Sequence, residues 1–386
     1  MNSLKLRLFL SFVLITISGC TTMEKLKFWG EEEEIAQPAV LKSFNQKIKI
    51  RTLWKKSLGS GDGYGINIPV ISGDSIYLAS SEGSISSFSL ETGKNNWSKS
   101  TDDYISGSTG FGYKTIFYGT LDGQVVALEA KNGSEIWRIQ LSSEVLAPPV
   151  TDGSMVVVQT ADGKISALDL KDGELKWVFI SKVPRLSLRG TSTPLLSRGA
   201  VFAGFANGKA AMISSESGSP RWELPITINE GKSELERIVD IDGKAILDGN
   251  MYVVASYQGN IASIDISSGR PIWQEKFSTI RDLAKARSTI VGVNNESIVL
   301  GFGQSTGVTL WKQEGLKLRK LSSPVNLRGR IAVGDFEGFI HFLEAKSGTF
   351  IGRVKISNKP IDEIIAFSNK LLVRDKSGRV VLLSAD

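Results

Sequence analysis

Short stretches of alternating apolar and polar residues, separated by glycine-containing turns, recur along most of this chain. In residues 162–177, DGKISALDLKDGELKW, Asp162 and Gly163 form a tight-turn dipeptide, the next residues alternate like a half-buried strand, and a second Asp-Gly pair leads to Trp177. Further copies of this unit occupy residues 82–97, 122–137, 207–222 and 258–273, and weaker ones occupy 295–311 and 337–352. A repeat of about 40 to 50 residues, rich in short strands and glycine turns, predicts a β-propeller.

The number of outermost strands gives the number of blades. Each blade needs four antiparallel strands, and the conserved place of Trp within the repeat marks the fourth. Candidates for this strand lie at Trp54, Trp97, Trp137, Trp177, Trp222, Trp273, Trp311 and Ile351. The chain ends, at 378–386, on a third strand without a fourth, and the strand near Trp54 lacks the preceding three. We therefore predict an all-β, eight-bladed β-propeller of four-stranded blades, the last closed by the N-terminal strand.

The Trp residues could be mistaken for a ligand cage. Their fixed position in each repeat indicates instead that they fill the space between adjacent blades. The Asp-Gly, Asn-Gly and Ser-Gly pairs are typical of turns rather than calcium loops, because no acidic cluster accompanies them. The propeller is predicted to span residues 47–386.

The start of the chain predicts a targeting segment. Lys5 and Arg7 precede an apolar run, Leu8 to Ile17, that is too short to cross a bilayer as a helix. Small residues directly before Cys20 resemble the lipobox of bacterial lipoproteins, so we expect a signal peptide over 1–19 and acylation of Cys20. The alternative is an ordinary signal peptide with an incidental cysteine. Residues 20–46 then form the lipidated N-terminus and a flexible tether.

The residue after the cysteine bears on the destination. In the enterobacterial sorting pattern an Asp there retains a lipoprotein in the inner membrane, so Thr21 favours the outer membrane. Several acyl chains together make a stable anchor, whereas one alone binds only marginally.

Composition excludes several classes of function. The net charge is +6, and loss of Lys5 and Arg7 leaves about +4, which does not indicate a nucleic-acid binder. One Cys and one His, His341, cannot supply an internal disulfide, a Cys/His nucleophile pair or a His-rich metal site. Residues 59–65, GSGDGYG, precede no predicted helix, so they are a weak candidate for a phosphate-binding loop. We predict no catalytic residue, cofactor or metal.

Two consecutive links between blades are longer than the others. One runs from Trp177 to Pro194 and the next from Trp222 to about Ala245, on one face of the ring and over adjacent blades. Long loops on a rigid scaffold are where binding is expected.

These two links carry the candidate partner-binding residues. The first contains LSLRG (186–190), with Leu186 and Leu188 beside Arg189, and the second ends in Asp240 and Asp242. Leucines next to a charge that can be paired favour a protein-binding hot spot. The alternative is a pair of variable loops with an internal salt bridge.

The repeat itself resembles that of quinoproteins, as in ALEAKNGSEIW (127–137) and ALDLKDGELKW (167–177). Quinone-dependent dehydrogenases that share this repeat tend to carry a vicinal Cys pair and a calcium site, and one Cys cannot supply the pair. A periplasmic quinoprotein dehydrogenase and a propeller for another envelope ligand, such as a glycan, stay as alternatives.

The combination of lipobox, eight blades, the GSG after the first outer strand, LSLRG and the E-x-x-R-[IL]-x-D-x-D loop resembles the BamB family, over essentially the whole mature chain. BamB is the lipoprotein subunit of the outer-membrane β-barrel assembly (BAM) machinery. The departures are the absent Trp at Ile351, an irregular sixth repeat (282–311), and ILDG (246–249) where Pro usually opens an inner strand.

The resemblance implies a non-catalytic, monomeric scaffold, lipid-anchored to the outer membrane and facing the periplasm, without a cofactor. It implies that Leu186, Leu188, Arg189, Asp240 and Asp242 contact the POTRA domains of the barrel subunit BamA. Other BAM subunits and unfolded outer-membrane proteins are the further partners that it suggests.

Overall fold

A computed structural model of the chain describes residues 36–58, 68–184, 186–188, 190–228 and 232–386. Pro38–Asp386 form one compact unit. Within the described residues, strands assemble into eight four-stranded antiparallel sheets, each a blade of a propeller ring. None of the described residues belongs to a helix long and apolar enough to cross a membrane.

The first strand, β1 (Ile50–Ser57), belongs to the last blade. Blades one to four are built, from the innermost strand outward, by β2 (Val70–Ser72), β3 (Ser75–Ala79), β4 (Ser84–Ser89) and β5 (Asn95–Ser100); β6 (Gly110–Gly112), β7 (Thr115–Gly119), β8 (Gln124–Glu129) and β9 (Glu135–Gln140); β10 (Val150–Thr151), β11 (Met155–Gln159), β12 (Lys164–Asp169) and β13 (Leu175–Ile180); β14 (Leu195–Ser197), β15 (Ala200–Gly204), β16 (Lys209–Ser214) and β17 (Pro220–Pro225).

The remaining blades follow the same order. They are built by β18 (Ile246–Asp248), β19 (Met251–Ala255), β20 (Asn260–Asp265) and β21 (Pro271–Lys276); β22 (Ala284–Ala286), β23 (Thr289–Val293), β24 (Val299–Gly303) and β25 (Thr309–Gln313); β26 (Val325–Leu327), β27 (Arg330–Gly334), β28 (Phe339–Glu344) and β29 (Phe350–Lys355); β30 (Ile361–Phe367), β31 (Lys370–Asp375), β32 (Arg379–Ala385) and β1. The irregular sixth repeat thus forms a complete blade, and ILDG supplies an inner strand.

Burial explains the pattern of each strand. Middle strands such as β8 and β12 are covered by neighbouring blades on both faces, and each has four consecutive buried residues. An outer strand such as β13 is covered on one face only, so its residues alternate between buried and exposed. The prediction of a half-buried strand directly after Gly163 was therefore wrong: these residues form β12, a middle strand that is buried on both faces.

The Trp residues of the described blades join each blade to the next. Each indole Nε1–H donates to a backbone carbonyl of the following blade at 2.8–3.1 Å, as Trp137 does to Leu170. The ring stands over a turn glycine: a Cβ at Gly173, whose φ is +77°, would lie 2.9 Å from the Trp137 ring. The prediction that these residues fill the space between blades is confirmed, and the turn needs glycine for both its φ and this close approach.

The two ends of the chain close the ring. β1 pairs antiparallel with β32, from Ile50 opposite Ala385 to Ser57 opposite Arg379. Beyond this blade, a buried cluster joins Leu372, Val380 and Leu382 to Ile76 and Phe88 of blade one. The predicted closure by the N-terminal strand is confirmed.

Deletion of residues 46–56 should therefore destabilise the whole ring. It removes the partner of β32 and exposes Val380–Leu383 as an unpaired apolar edge, so we expect aggregation or a lower melting temperature. Thermal unfolding of the truncated and full-length chains measures the effect. A truncated protein that melts like the full-length chain would contradict the importance of this pairing.

Blade seven lacks the Trp of the other blades, and the residue in its place is not the one predicted from the sequence. In blade two Trp137 lies opposite Ala127, and the equivalent pair in blade seven is Gly352 opposite Phe342, so the Trp position is Gly352 and not Ile351. A Cβ at Gly352 would lie 2.6 Å from Cγ1 of Ile48. Because the third and fourth strands of blade eight come from opposite chain ends, they have no turn to support a Trp, and Ile48 fills the space.

The segment before β1 is fixed to blade seven. We call residues 38–47 the strap. The Ala39 N–H donates to the Lys317 carbonyl at 2.9 Å, and the Lys47 N–H donates to the Ile351 carbonyl at 2.8 Å. The Phe44 ring stacks on Phe350, with centroids 5.5 Å apart. These residues fall in the segment predicted as tether, and their contacts extend the compact unit to Pro38.

Two arginines hold the strap from the blade side. Arg319 donates to the Ala39 carbonyl at 3.1 Å, and Arg353 donates to the Lys42 carbonyl at 3.0 Å. His341 is fully buried between Asp335, 2.9 Å from its Nε2, and Arg353, whose Nε donates to its Nδ1 at 3.0 Å. Burial lowers the pKa of His341. The histidine therefore has a structural role as a neutral link in this network.

Candidate functional site

The two long links lie on one face of the ring. One joins β13 to β14 and the other joins β17 to β18, which continue blades three, four and five. Because the strands of a blade alternate in direction, every link from a fourth strand to the next first strand emerges on the same face. The links therefore form one continuous surface over adjacent blades, and we call it the link surface.

The structure brings the two candidate loops into direct contact. The backbone of Leu188 lies near the carboxylate of Asp240 and tends to lower the pKa of that group, against the larger effect of burial. A Cβ at Gly190 would lie 2.5 Å from Oδ1 of Asp242, so the glycine permits this close packing. Ser192 Oγ donates to the Gly243 carbonyl at 3.4 Å. The LSLRG segment and the acidic segment thus form a single site.

Packing into the core fixes the acidic segment. Ile241 is fully buried and Val239 nearly so, in the core around blades four and five. The Asp240 carbonyl accepts a hydrogen bond from the Tyr257 N–H at 2.7 Å. Because Ile241 points into the core, its two acidic neighbours are held in place by the backbone.

The acidic pair is buried without enough partners. Asp240 is 1% exposed, and Oδ2 of Asp240 and Oδ1 of Asp242 have no hydrogen-bond partner. Burial raises the pKa of both carboxyls, and the nearby charge of Asp242 raises the pKa of Asp240 further. No Lys or Arg of the described residues forms an ion pair with either. The pair therefore retains an unsatisfied capacity for a proton or a cationic group.

Exposed apolar side chains accompany this pair. Leu186 is 45% exposed and Leu188 is partly buried. The second loop adds two residues that sequence reasoning missed, Ile228 at 76% and Leu235 at 67% exposed. In the ELERIV pattern (234–239), Leu235 could equally be a buried core residue, so the sequence alone does not identify it as exposed. Arg189 lies outside the described residues.

The central channel does not suit a quinone cofactor. A cavity of about 270 Å³ is lined by groups that include Asp242, Arg281, Asp282, Asp362 and Glu363. Burial and the neighbouring carboxylates raise the pKa of Glu363 to about 8. Such a lining disfavours a cofactor that itself carries carboxylates. Across the residues that the structure describes, no cluster of three or more Asp, Glu, His or Cys side chains could hold a metal ion.

The fold and the link surface define a class of protein: an eight-bladed propeller of quinoprotein-like repeats. Loops on one of its faces combine an acidic pair with exposed apolar side chains. The family model described as "Outer membrane protein assembly factor BamB" matches residues 81–313. The BamB of Bordetella pertussis is 33% identical over 97% of this chain and 95% of its own. The chain belongs to the BamB family of outer membrane protein assembly factors.

Solved structures agree on the fold. The crystal structure of BamB from Moraxella catarrhalis superposes with a TM-score of 0.81, at 28% identity, over 87% of this chain and all of that one. The quinohemoprotein alcohol dehydrogenase of Comamonas testosteroni superposes with a TM-score of 0.67 at 12% identity, over 87% of this chain and 76% of that one. The second similarity concerns the propeller alone.

Proposed function

We propose that this protein is a non-catalytic scaffold of the outer-membrane β-barrel assembly machinery. Its link surface binds the periplasmic POTRA domains of BamA and holds them in a geometry that favours insertion of outer-membrane proteins. Membership in the BamB family supports the role in assembly. Leu186, Leu188, Arg189, Asp240 and Asp242 are the proposed contact residues.

The acidic pair carries this proposal. A buried carboxyl with an unpartnered oxygen costs stability, so its presence is best explained by a partner that supplies the missing contact. An Arg or Lys of the partner would pair with Asp242, the partly exposed member of the pair, while Leu186 and Leu235 would provide the apolar contact around the charge.

Affinity capture from envelope extracts tests the partner. The mature protein should retain BamA, and a variant with Leu186 and Leu235 changed to Ser should not. Both leucines are exposed, so the change should leave the fold intact. Equal retention by both proteins would contradict the use of the link surface.

The membrane attachment is the second part of the proposal. Residues 1–19 act as the signal peptide, and acylated Cys20 anchors the chain in the outer membrane, with the propeller in the periplasm. The segment from Cys20 to Gln37 then serves as the tether. Residues 1–35 lie outside the described residues, so this part depends on the sequence.

Replacement of Cys20 by Ser should release the protein into the soluble periplasmic fraction. The thiol is the proposed acylation site, and without acyl chains the anchor is lost. Fractionation followed by a high-salt wash measures the release. A variant that still sediments with outer membranes after the wash would show that Cys20 is not the anchor.

A further inference from the structure

The strap and β1 form the most basic segment that the structure describes. Residues 36–58 contain no acidic residue, and all of their cationic side chains are exposed: Lys42, Lys47, Lys49, Arg51, Lys55 and Lys56. None of the six forms a salt bridge with a carboxylate of the described residues, although Lys47 interacts electrostatically with Glu344. The segment is therefore a largely uncompensated positive edge on the outer side of blades seven and eight.

Most of the other outer strands differ from β1 in this respect, although β5 has one and β29 has two basic residues without an ion pair. β9, β17 and β21 each combine one basic residue with one acidic residue. Where a basic residue stands without an acidic one in its strand, it is often neutralised from outside: Lys176 pairs with Asp169, and Lys312 pairs with Glu314. β1 carries three cations without an ion pair. The fold of the blade does not need this charge, since seven outer strands form without it.

Two aliphatic side chains stand among the cations. Val40 in the strap is 85% exposed, and Leu53, at the β-bulge of β1, is 46% exposed. Cations that surround exposed aliphatic groups are typical of surfaces that bind anionic lipid. The lipid headgroups pair with the cations, and the aliphatic groups insert into the membrane–water interface.

The position of this edge in the chain identifies its partner. The strap is the first part of the propeller unit after Cys20, and the seventeen residues between Cys20 and Pro38 span at most about 60 Å. An acyl anchor at Cys20 would therefore keep the edge within reach of the membrane from which the anchor starts. A nucleic acid is the other common anionic partner of a basic surface, but an acyl anchor would not bring one close to this edge.

We propose that the basic edge formed by the strap and β1 binds the anionic phospholipid surface of the membrane. The acyl anchor and this edge then act as two linked attachments, so that blade eight faces the bilayer and the link surface stays accessible to its partner. The proposal rests on the proposed membrane anchoring, but its test uses protein without acyl chains. Each Lys or Arg near an anionic surface strengthens binding about fivefold.

Flotation of unlipidated protein with vesicles tests this edge. The mature chain carrying Cys20→Ser is mixed with phosphatidylethanolamine vesicles that contain roughly 30 mol% phosphatidylglycerol, or with phosphatidylcholine vesicles. We expect binding to the anionic vesicles only, and its loss in about 0.5 M salt. The triple variant Arg51→Glu, Lys55→Glu, Lys56→Glu should lower the partition coefficient on the order of 100-fold. Lys47 stays unchanged because it interacts with Glu344.

Two controls keep the outcome interpretable. The variant Lys94→Glu, Lys131→Glu, Lys171→Glu changes the net charge equally, in exposed turns of blades one to three, and should bind like the parent. A neutral version, with Gln at the three β1 positions, should give an intermediate loss and the parent melting temperature. No binding by the parent, or equal binding by the two Glu variants, would overturn the proposal. Neither result would bear on the acylation of Cys20, which the fractionation of the Cys20→Ser variant tests separately.

Discussion

Replacement of Arg189 by Glu should abolish capture of the BamA POTRA region while the propeller keeps its melting temperature. Arg189 lies outside the described residues, and its neighbours Leu188 and Gly190 lie against the acidic pair. A guanidinium there suits a bidentate contact with a carboxylate of the partner. Loss of a hot spot costs about 2 kcal/mol or more, which is roughly 30-fold in affinity, and the reversed charge adds repulsion.

Lys171→Glu provides the matched control for this prediction. Lys171 lies in the turn between β12 and β13, on the face of the ring opposite to the link surface. It undergoes the same charge reversal in the same blade, and it should leave capture intact. Equal capture by the two variants would show that the partner docks elsewhere, whichever family the chain belongs to.

Neutralising the acidic pair should stabilise the protein and weaken its binding. The folded state raises the pKa of Asp240 and Asp242 above the unfolded range near 4, so folding is penalised as the pH rises from about 4 through the folded pKa values. Asp240→Asn removes this penalty. We expect a gain of about 2 kcal/mol at pH 8, a rise of a few degrees in melting temperature, and no gain at pH 4.

The same substitution should have the opposite effect on capture. If a cationic group of BamA pairs with these carboxylates, Asp240→Asn with Asp242→Asn removes its counter-charge, and capture should fall at least tenfold. Asp122→Asn, at an exposed turn, serves as the control and should change neither property. A stabilised double variant that still captures BamA normally would assign the pair a purely structural role.

The blade number and the closure of the ring follow from the sequence because they depend on local signals. Each repeat carries its own turn glycines and its Trp, and the strand deficit at one chain end matches the surplus at the other. The position of the absent Trp was wrong by one residue. The same β-bulge occurs beside the Trp of the other blades, so the register is regular, and the repeats 122–137 and 337–352 align Gly352 with Trp137.

The strap shows a limit of local reasoning. Its residues have no periodicity, and its partners Arg319 and Arg353 lie about 280 and 310 positions further along the chain. Nothing within the segment itself predicts these contacts. Only the closed ring brings blade seven beside the strand that completes blade eight.

The candidate site was predicted in part. Sequence reasoning placed the two loops on adjacent blades, and the structure brings Leu188 and Gly190 against Asp240 and Asp242. It did not reveal that the acidic pair is buried, because that depends on the insertion of Ile241 into the core. Leu235 was missed since exposed and core leucines look alike in a single sequence.

Site-specific photo-crosslinking in living cells tests the central claim most directly. A photoreactive residue at position 186 or 235, both exposed on the link surface, should form a crosslink to the POTRA region of BamA. The same residue at position 171, on the opposite face, should not. Crosslinks to BamA from position 171 alone, or none from 186 and 235 in a correctly folded protein, would contradict the proposed scaffold surface.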